Sequence, residues 1–308
     1  MFSVVIPLYN KQNHIIRTVS SVLNQSFVLF EIIVVDDGST DNSVSVLVDN
    51  IADERLIVVN KLNGGESSAR NYGIKLSKYD YVAFIDADDI WHPEYLEKIR
   101  ELIFKFPHCG LYCTNYYIMK INGDRVKAHR SRALRADTII KDYFEISRRL
   151  PLVTSNTAVI PVHVFDSIGY FNETIKMGPD LEMWYRVIQN YQIAFSSYTG
   201  ATYFHDADNR VCNNALYFSE SFFVSLAKIF ESGKFRIQRV ELLYLNDLVC
   251  KELVRLKITL SGSDVRRAID FVRNLNLPLI NWRIYFLLSF LPSLCMRVFY
   301  RTEYILLK

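Results

Sequence analysis

Four short β-branched runs in the first hundred residues, separated by helical patterns, constrain this chain more than any other feature. Residues 4–6, 32–35, 56–59 and 81–85 are apolar at consecutive positions rather than alternate ones, and each run is too short for a helix. Between the first two, Ile15, Ile16, Val19, Val22 and Leu23 mark one buried helix face. Val44, Leu47, Val48 and Ile51 mark a second helix that Asp41 would cap. A third covers about 67–77, and a fourth opens at Pro93, a favoured first helical position, and runs to Lys105. Continuous apolar strands alternating with helices predict an α/β fold: a mostly parallel sheet with helices on both faces.

The later sequence is less regular. A strand is expected over 110–119, another over 155–160, and a helix over 180–191. From about residue 214 the pattern is almost wholly helical, punctuated by Gly233, Gly262 and Pro278. Because 308 residues exceed one ordinary core, the division expected is an α/β domain over 1–213 and a helical region over 214–308. A composition of 50% hydrophobic residues excludes a disordered or fibrous chain. Near balance between 36 basic and 33 acidic residues gives no reason to expect a nucleic-acid partner.

The five cysteines (Cys109, Cys113, Cys212, Cys250 and Cys295) form no CxxC pair, so they read as reduced, mostly buried thiols of a cytoplasmic protein. The N-terminus has no basic stretch before its apolar run and reads as a strand. The greasiest segment, 284–296, contains Pro292 and falls short of the roughly 20 residues that span a bilayer. An integral membrane protein is therefore not expected.

Ligands of open parallel sheets bind outside the carboxyl ends of the strands, and right-handed crossovers put the four ends on one rim. Here those ends read Pro7-Leu8-Tyr9-Asn10, Asp36-Asp37-Gly38-Ser39, Asn60-Lys61-Leu62-Asn63-Gly64-Gly65 and Asp86-Ala87-Asp88-Asp89. Five carboxylates on one rim repel one another unless cations or hydrogen-bond donors offset them. Asp86-x-Asp88 with Asp89 supplies hard oxygens suited to Mg²⁺ or Mn²⁺ shared with a diphosphate. A bland alternative is that strand-end Asp residues cap the next helix, most of all Asp89. No G-x-G-x-x-G follows the first strand and no G-x-x-x-x-G-K-[ST] occurs, so dinucleotide and phosphate-loop folds are excluded. Phosphate charge would fall to a metal and to cations such as Arg70.

In series, several segments resemble the inverting family 2 glycosyltransferases, whose catalytic domain has the GT-A fold. They are 4–10, 20–26 (Ser-Ser-Val-Leu-Asn-Gln-Ser), 31–41 (Glu-Ile-Ile-Val-Val-Asp-Asp-Gly-Ser-Thr-Asp), Asn63-x-Gly65 with Ala69-Arg70-Asn71-x-Gly73, and Phe84-Ile85-Asp86-Ala87-Asp88-Asp89. The resemblance is close over about 1–105, looser to about 210, and absent from the last hundred residues. It implies nucleotide binding by Asp37 at the base, with Pro7 and Tyr9 shaping and stacking the pocket, by Asn10 and Asn63 in the matched motifs, and by Arg70 near base and diphosphate. Asp86 would reach the ribose or sugar, and Asp88 would be the direct metal ligand.

Gly178-Pro179-Asp180-Leu181-Glu182-Met183-Trp184 resembles the segment that carries the family's catalytic base. Asp180 stands at the base position and Trp184 at the usual aromatic, while Pro179 replaces the customary Glu. Helix capping by Asp180 is the alternative. His205 falls where relatives place a polar residue near the metal. Asp89, Trp91 and Trp184 are candidates for the donor or acceptor sugar. Tyr112, Tyr116 and Tyr117 could line a sugar site or pack in the core.

The basic run 125–135 could meet an anionic acceptor such as a lipid diphosphate, or be a solvated face. The implied reaction is inverting transfer from a nucleotide-sugar donor, UDP-sugar favoured, to a saccharide or lipid-linked acceptor in bacterial surface polysaccharide or lipid-linked oligosaccharide assembly. A catalytically silent donor-binding subunit and a sugar nucleotidyltransferase are the alternatives. The charge total conceals a split: 1–224 holds 22 basic and 26 acidic residues, and 225–308 holds 14 and 7. With Trp282, Tyr285, Phe286 and Phe290, that tail suits either an anionic membrane surface, at the inner face of the cell membrane, or a helical packing or homodimer contact.

Overall fold

The computed structural model describes residues 1–131, 134–204, 222 and 239–259. The expected alternation is present as β1 (Phe2–Leu8), α1 (Ile15–Leu23), β2 (Phe30–Asp36), α2 (Ser43–Asn50), β3 (Leu56–Asn60), α3 (Glu66–Leu76) and β4 (Tyr81–Phe84). These four strands run parallel in the order β3-β2-β1-β4. Phe2 lies opposite Phe30 and Tyr81, and Leu8 opposite Asp36, so the strand ends share one rim. Val4, Ile6, Ile32 and Val34 pack with Ile15, Val19 and Val22 of α1. Ile33 and Val35 pack with Ala69 of α3 on the other face. Burial on both faces explains why these strands are apolar at every position. A Cβ on Gly73 would come within 2.4 Å of Val5 Cγ1, so the glycine of the Arg70-Asn71-x-Gly73 motif lets α3 lie close on β1.

The sheet continues through β5 (Ile90–Trp91), α4 (Tyr95–Lys105), β6 (Leu111–Met119), β7 (Arg125–Lys127), β8 (Thr138–Ile140), β9 (Ala158–Pro161), α6 (Val162–Ile168), α7 (Pro179–Asn190) and β10 (Ile193–Phe204), with α5 (Tyr143–Ser147) between β8 and β9. Its full path is β3-β2-β1-β4-β9-β6-β10-β5, with β7 beside β6 and β8 beside β10. Strand β9 is antiparallel to both β4 and β6, whereas β6 and β10 are parallel to each other. The sheet is thus mostly parallel in its first half and mixed in its second.

Local expectations shift at three places. The fourth helix starts at Tyr95, not Pro93, after a turn in which Tyr95 N bonds His92 O. Only the latter part of 155–160 is strand; Ser155–Thr157 form a 3-10 turn closed by reciprocal bonds between Thr154 and Thr157. The basic run is not one solvated face, because Arg125–Lys127 form β7 and His129 is buried, bonded to Asn115 and to Pro151 O. Tyr112 and Tyr116 are core residues whose hydroxyls donate to Phe106 O and Pro151 O, which removes them from a sugar site. Cys109 and Cys113 are free and buried, and burial pushes the Cys109 thiol up to about 11.

Chain contacts divide the molecule into two units, Met1–Lys141 with Leu150–Arg210 and Asp142–Arg149 with Val211–Lys308. The expected boundary at 213 therefore misses a short excursion. In the second unit α5 and α8 (Arg239–Thr259) are joined by Arg148–Asp247 at 2.7 Å and by the Tyr143, Phe144 and Tyr244 rings. Among the described residues no helix is long and apolar enough to cross a membrane. Trp282, Tyr285, Phe286 and Phe290, with the rest of 260–308, lie outside them.

Candidate active site at the carboxyl rim of the sheet

The end of β1 is tied to the end of β2. Asn10, at φ 51°, accepts from Thr40 N at 2.8 Å through Oδ1, and its backbone N–H donates to Ser39 Oγ. Its side chain is a latch between two loops. Tyr9 beside it is 44% exposed, and Pro7 lies in β1 opposite Val35, one residue before the strand's end at Leu8. Asp36 receives Ser39 N on its carboxylate and so shapes its own turn. Asp37 is buried, and its carboxylate accepts from Gly64 N at 3.0 Å, Gly65 N at 2.7 Å and Lys61 Nζ at 2.5 Å. Asn63 Nδ2 donates to Asp37 O at 2.8 Å. These bonds bring Asp37, Asn63 and Lys61 into one loop cluster, tied to the end of β1 by Asp37 N donating to Leu8 O at 2.8 Å.

Arg70 projects from α3 and is 1% exposed. Its Nη2 meets Asp86 Oδ1 at 2.8 Å, Ser155 Oγ at 2.9 Å and the Glu66 carboxylate. Among the described residues its Nε and Nη1 find no partner, while its guanidinium lies 5.4 Å from the Phe171 ring centroid. Burial disfavours the charged form, but Glu66, Asp86 and Asp180 together more than restore it and raise the pKa. Glu66 is itself raised by burial and by Asp86, Asp180 and Asp88, against the pull of Arg70. Asp180 is raised by burial and by Asp86, with Arg70 and the amides at the open end of α7 opposing. Three carboxylates thus act on one buried guanidinium, Glu66 and Asp86 by direct ion pairs and Asp180 through its charge.

Asp180 is delivered there by α7. Gly178 caps this helix in the left-handed conformation (φ 71°, ψ 38°), and Pro179 takes the first helical position, where its missing N–H costs nothing. Arg186 binds Glu182 and also caps the turn at Ile168, Gly169 and Tyr170. Asn71 fastens the connecting loop to α3 by bonds to Phe171 O, Phe171 N and Glu173 Oε1.

Asp88 pairs with Lys11 Nζ at 2.7 Å. Asp89 behaves differently. It is fully buried, with Asn156 Nδ2 on Oδ2 at 2.8 Å and Phe204 N on Oδ1 at 3.0 Å, and burial together with Asp88 and Asp86 raises its pKa. Both oxygens are consumed inside the protein, which corrects its expected contact with a sugar. Trp91 is likewise a core group: its indole donates to Asn156 O at 2.7 Å and stacks on Tyr95. Trp184 is buried edge-on to Phe171, and among the described residues its Nε1 has no partner, so it packs in the core rather than lining a sugar site. His205 lies outside the described residues.

Mg²⁺ and Mn²⁺ are commonly held by one or two carboxylates plus substrate phosphates rather than by an all-protein cage. Among the described residues no three His, Cys, Asp or Glu side chains form such a cage. Asp86 gives Oδ1 to Arg70 and Asp88 gives Oδ2 to Lys11, so each keeps a second oxygen outside these ion pairs. That donor chemistry fits a hard divalent ion completed by a diphosphate. Sequence reasoning passed over Lys11, Lys61, Glu66 and Asn156. The i,i+4 spacing of Glu66 and Arg70 is a readable signal; nothing local marks Asn156 as the partner of Asp89.

The family profile described as glycosyl transferase family 2 matches residues 3–169. The chain belongs to this family. An uncharacterised glycosyltransferase of Rickettsia typhi is 30% identical over 202 residues, covering 63% of this chain and 61% of its own length. TuaG of Bacillus subtilis, described as a teichuronic acid biosynthesis glycosyltransferase, is 36% identical over 146 residues, 46% of this chain and 58% of TuaG. Among the first curated relatives the matched part spans from 25% to 61% of the relative's length. The fold of this family 2 chain is similar to that of S. aureus TarS residues 1–349 in complex with UDP-GlcNAc, with a TM-score of 0.65 at 20% identity, over 89% of this chain and 83% of that one.

Proposed function

We propose that this family 2 chain transfers a sugar, with inversion, from a nucleoside-diphosphate sugar to an acceptor hydroxyl. The observation that carries the reading is the ion pair of Asp86, from the end of β4, with the buried guanidinium of Arg70 at 2.8 Å, on which Asp180, from the start of α7, also acts through its charge. A donor-side carboxylate and a candidate base are thereby held in one charge cluster.

In this reading the nucleotide lies along the ends of β1 to β3, its base over Tyr9 and near Asp37, and its diphosphate toward Asp86 and Asp88. Asp88, with Asp86, would hold Mg²⁺ or Mn²⁺, which supplies charge neutralisation of the leaving diphosphate. Asp180 accepts the proton of the acceptor hydroxyl as that oxygen bonds to the anomeric carbon and the bond from carbon to the diphosphate breaks. Its raised pKa suits a base that must take and then release a proton. Arg70 offsets the carboxylates, so that Asp180 can ionise beside Asp86.

TarS bound to UDP-GlcNAc and to UDP supports a UDP-sugar donor. TuaG supports a role in bacterial surface polysaccharide assembly. A calorimetric screen of nucleotide sugars with Mn²⁺ or Mg²⁺ tests this directly: a UDP-sugar is expected to bind and, with an acceptor, to release UDP. Binding of no nucleotide sugar overturns the reading. Binding without hydrolysis or transfer would instead favour a silent donor-binding subunit, the alternative that Pro179 next to Asp180 keeps in view.

A further inference from the structure

The cation nearest the Asp86-x-Asp88 motif belongs to the protein itself. Lys11 follows the strained turn at Asn10, and its amide is fixed by Ser43 Oγ at 2.7 Å. Its ammonium meets Asp88 Oδ2 at 2.7 Å, and the two side chains are only 12% and 13% exposed. The turn that carries Asp88 is clamped as well. Arg17 donates to Asp88 O at 2.7 Å, and Thr18 Oγ1 donates to Ala87 O and Asp89 O. A pair this enclosed and this well fixed avoids much of the ordering cost and screening that make exposed ion pairs weak.

We propose that Lys11 is a resident counter-cation that holds Asp88 when no donor is bound, and that a divalent ion gains Asp88 as the ammonium is drawn onto the incoming diphosphate. The inference rests on the donor reading above and adds to it a coupling between metal and nucleotide. An ammonium and a divalent ion compete for one carboxylate, and their mutual repulsion within a few ångströms is large where water is scarce. The diphosphate offers the displaced ammonium new anionic oxygens while it completes the coordination of the ion. Each ligand therefore strengthens the other, and the coupling is reciprocal.

The test is Mn²⁺ binding followed by electron paramagnetic resonance on the full chain, with and without UDP, for the wild type, Lys11→Met and Lys11→Arg. The wild type is expected to bind Mn²⁺ weakly alone and at least about tenfold more tightly with UDP. Lys11→Met should bind Mn²⁺ alone about tenfold more tightly than the wild type, because Asp88 is left uncompensated. It should also lose most of the gain from UDP, while Lys11→Arg follows the wild type. Lys11→Gln serves the same purpose if the Met variant does not fold. Unchanged or weaker Mn²⁺ affinity without nucleotide in the neutral variants overturns the proposal. So does a wild type that binds no Mn²⁺ even with UDP, since Lys11 would then be the permanent partner of Asp88. Calorimetry of UDP and of other nucleotides with the wild type in saturating Mg²⁺ reads the donor assignment separately: failure there strikes the donor reading, and failure of the Lys11 variants alone does not.

Discussion

Asp88 and Asp180 serve the same corner of the site but are held there by different kinds of structure. Asp88 sits on a short turn of the parallel half-sheet, pinned by Arg17, Thr18 and Lys11 from the neighbouring β1–α1 segment. Asp180 comes from a helix about ninety residues further on, reached through a mixed part of the sheet. Its helix is placed by a left-handed glycine, the Arg186 bracket, and the three bonds of Asn71 to the 171–173 loop. The proposed donor side is intrinsic to the sheet, whereas the proposed base rides on a docked element whose position depends on a few polar latches. Loss of the base should therefore be separable from loss of donor binding.

The sharpest break is Asp180→Asn. Transfer should fall by roughly 10²–10⁴-fold, the usual worth of a general base, with nucleotide-sugar affinity by calorimetry unchanged; retention of full transfer would place the base elsewhere. The pH profile carries the same assignment. Burial raises the Asp180 pKa above 3.8, and the group acts as a base only when ionised. Transfer is thus fully present above the raised value and lost as pH falls through it. Asp86→Asn removes a like charge and should move that acidic limb to lower pH; a limb that stays in place excludes the coupling between them.

Next in size is the latch. Asn71→Ala strands the buried amide and carbonyl of Phe171 and should cost about 2–4 kcal/mol in urea unfolding. Among molecules that remain folded, kcat should drop by tenfold or more through displacement of α7, with donor affinity near wild type. Equal losses in kcat and in donor affinity would show that the two regions are not separable. The smallest effect tests the intrinsic side alone. Tyr9→Ala should weaken nucleotide binding by about 1–3 kcal/mol, the range found for an aromatic ring under a base, and leave kcat at saturation unaltered; unchanged affinity removes Tyr9 from the base pocket.

The same contrast explains what could be read from the sequence. In the first half, burial on both faces forces continuous apolar runs, so strand positions and the shared carboxylate rim were legible, while the order β3-β2-β1-β4 was not. The second half was harder. β10 breaks its pairing with β6 between Ser196 and Ala201, β9 runs against its neighbours, and the 3-10 turn at Ser155 is set by Thr154 and Thr157 side chains. Within the site, residue type identified Arg70, Asp86, Asp88 and Asp180, which the structure brings together. It did not tell Asp88 from Asp89, two adjacent acids with opposite environments, because the partner of Asp89 is Asn156, 67 residues away. Trp91 and Trp184 misled for the same reason: a large aromatic near a motif is as readily a wall of the core as a platform for sugar.

The excursion of Asp142–Arg149 into the second unit has a practical corollary for anyone wishing to swap or borrow that part of the molecule. Lys251 Nζ caps the carbonyls of Arg148 and Arg149, and Arg148 reaches back to Asp247. The second unit is therefore not a cassette that a single cut can release. A fragment begun at residue 211 leaves out the eight residues against which α8 closes, and a chimera would need two splice points on either side of 142–149 in addition to the one near 210.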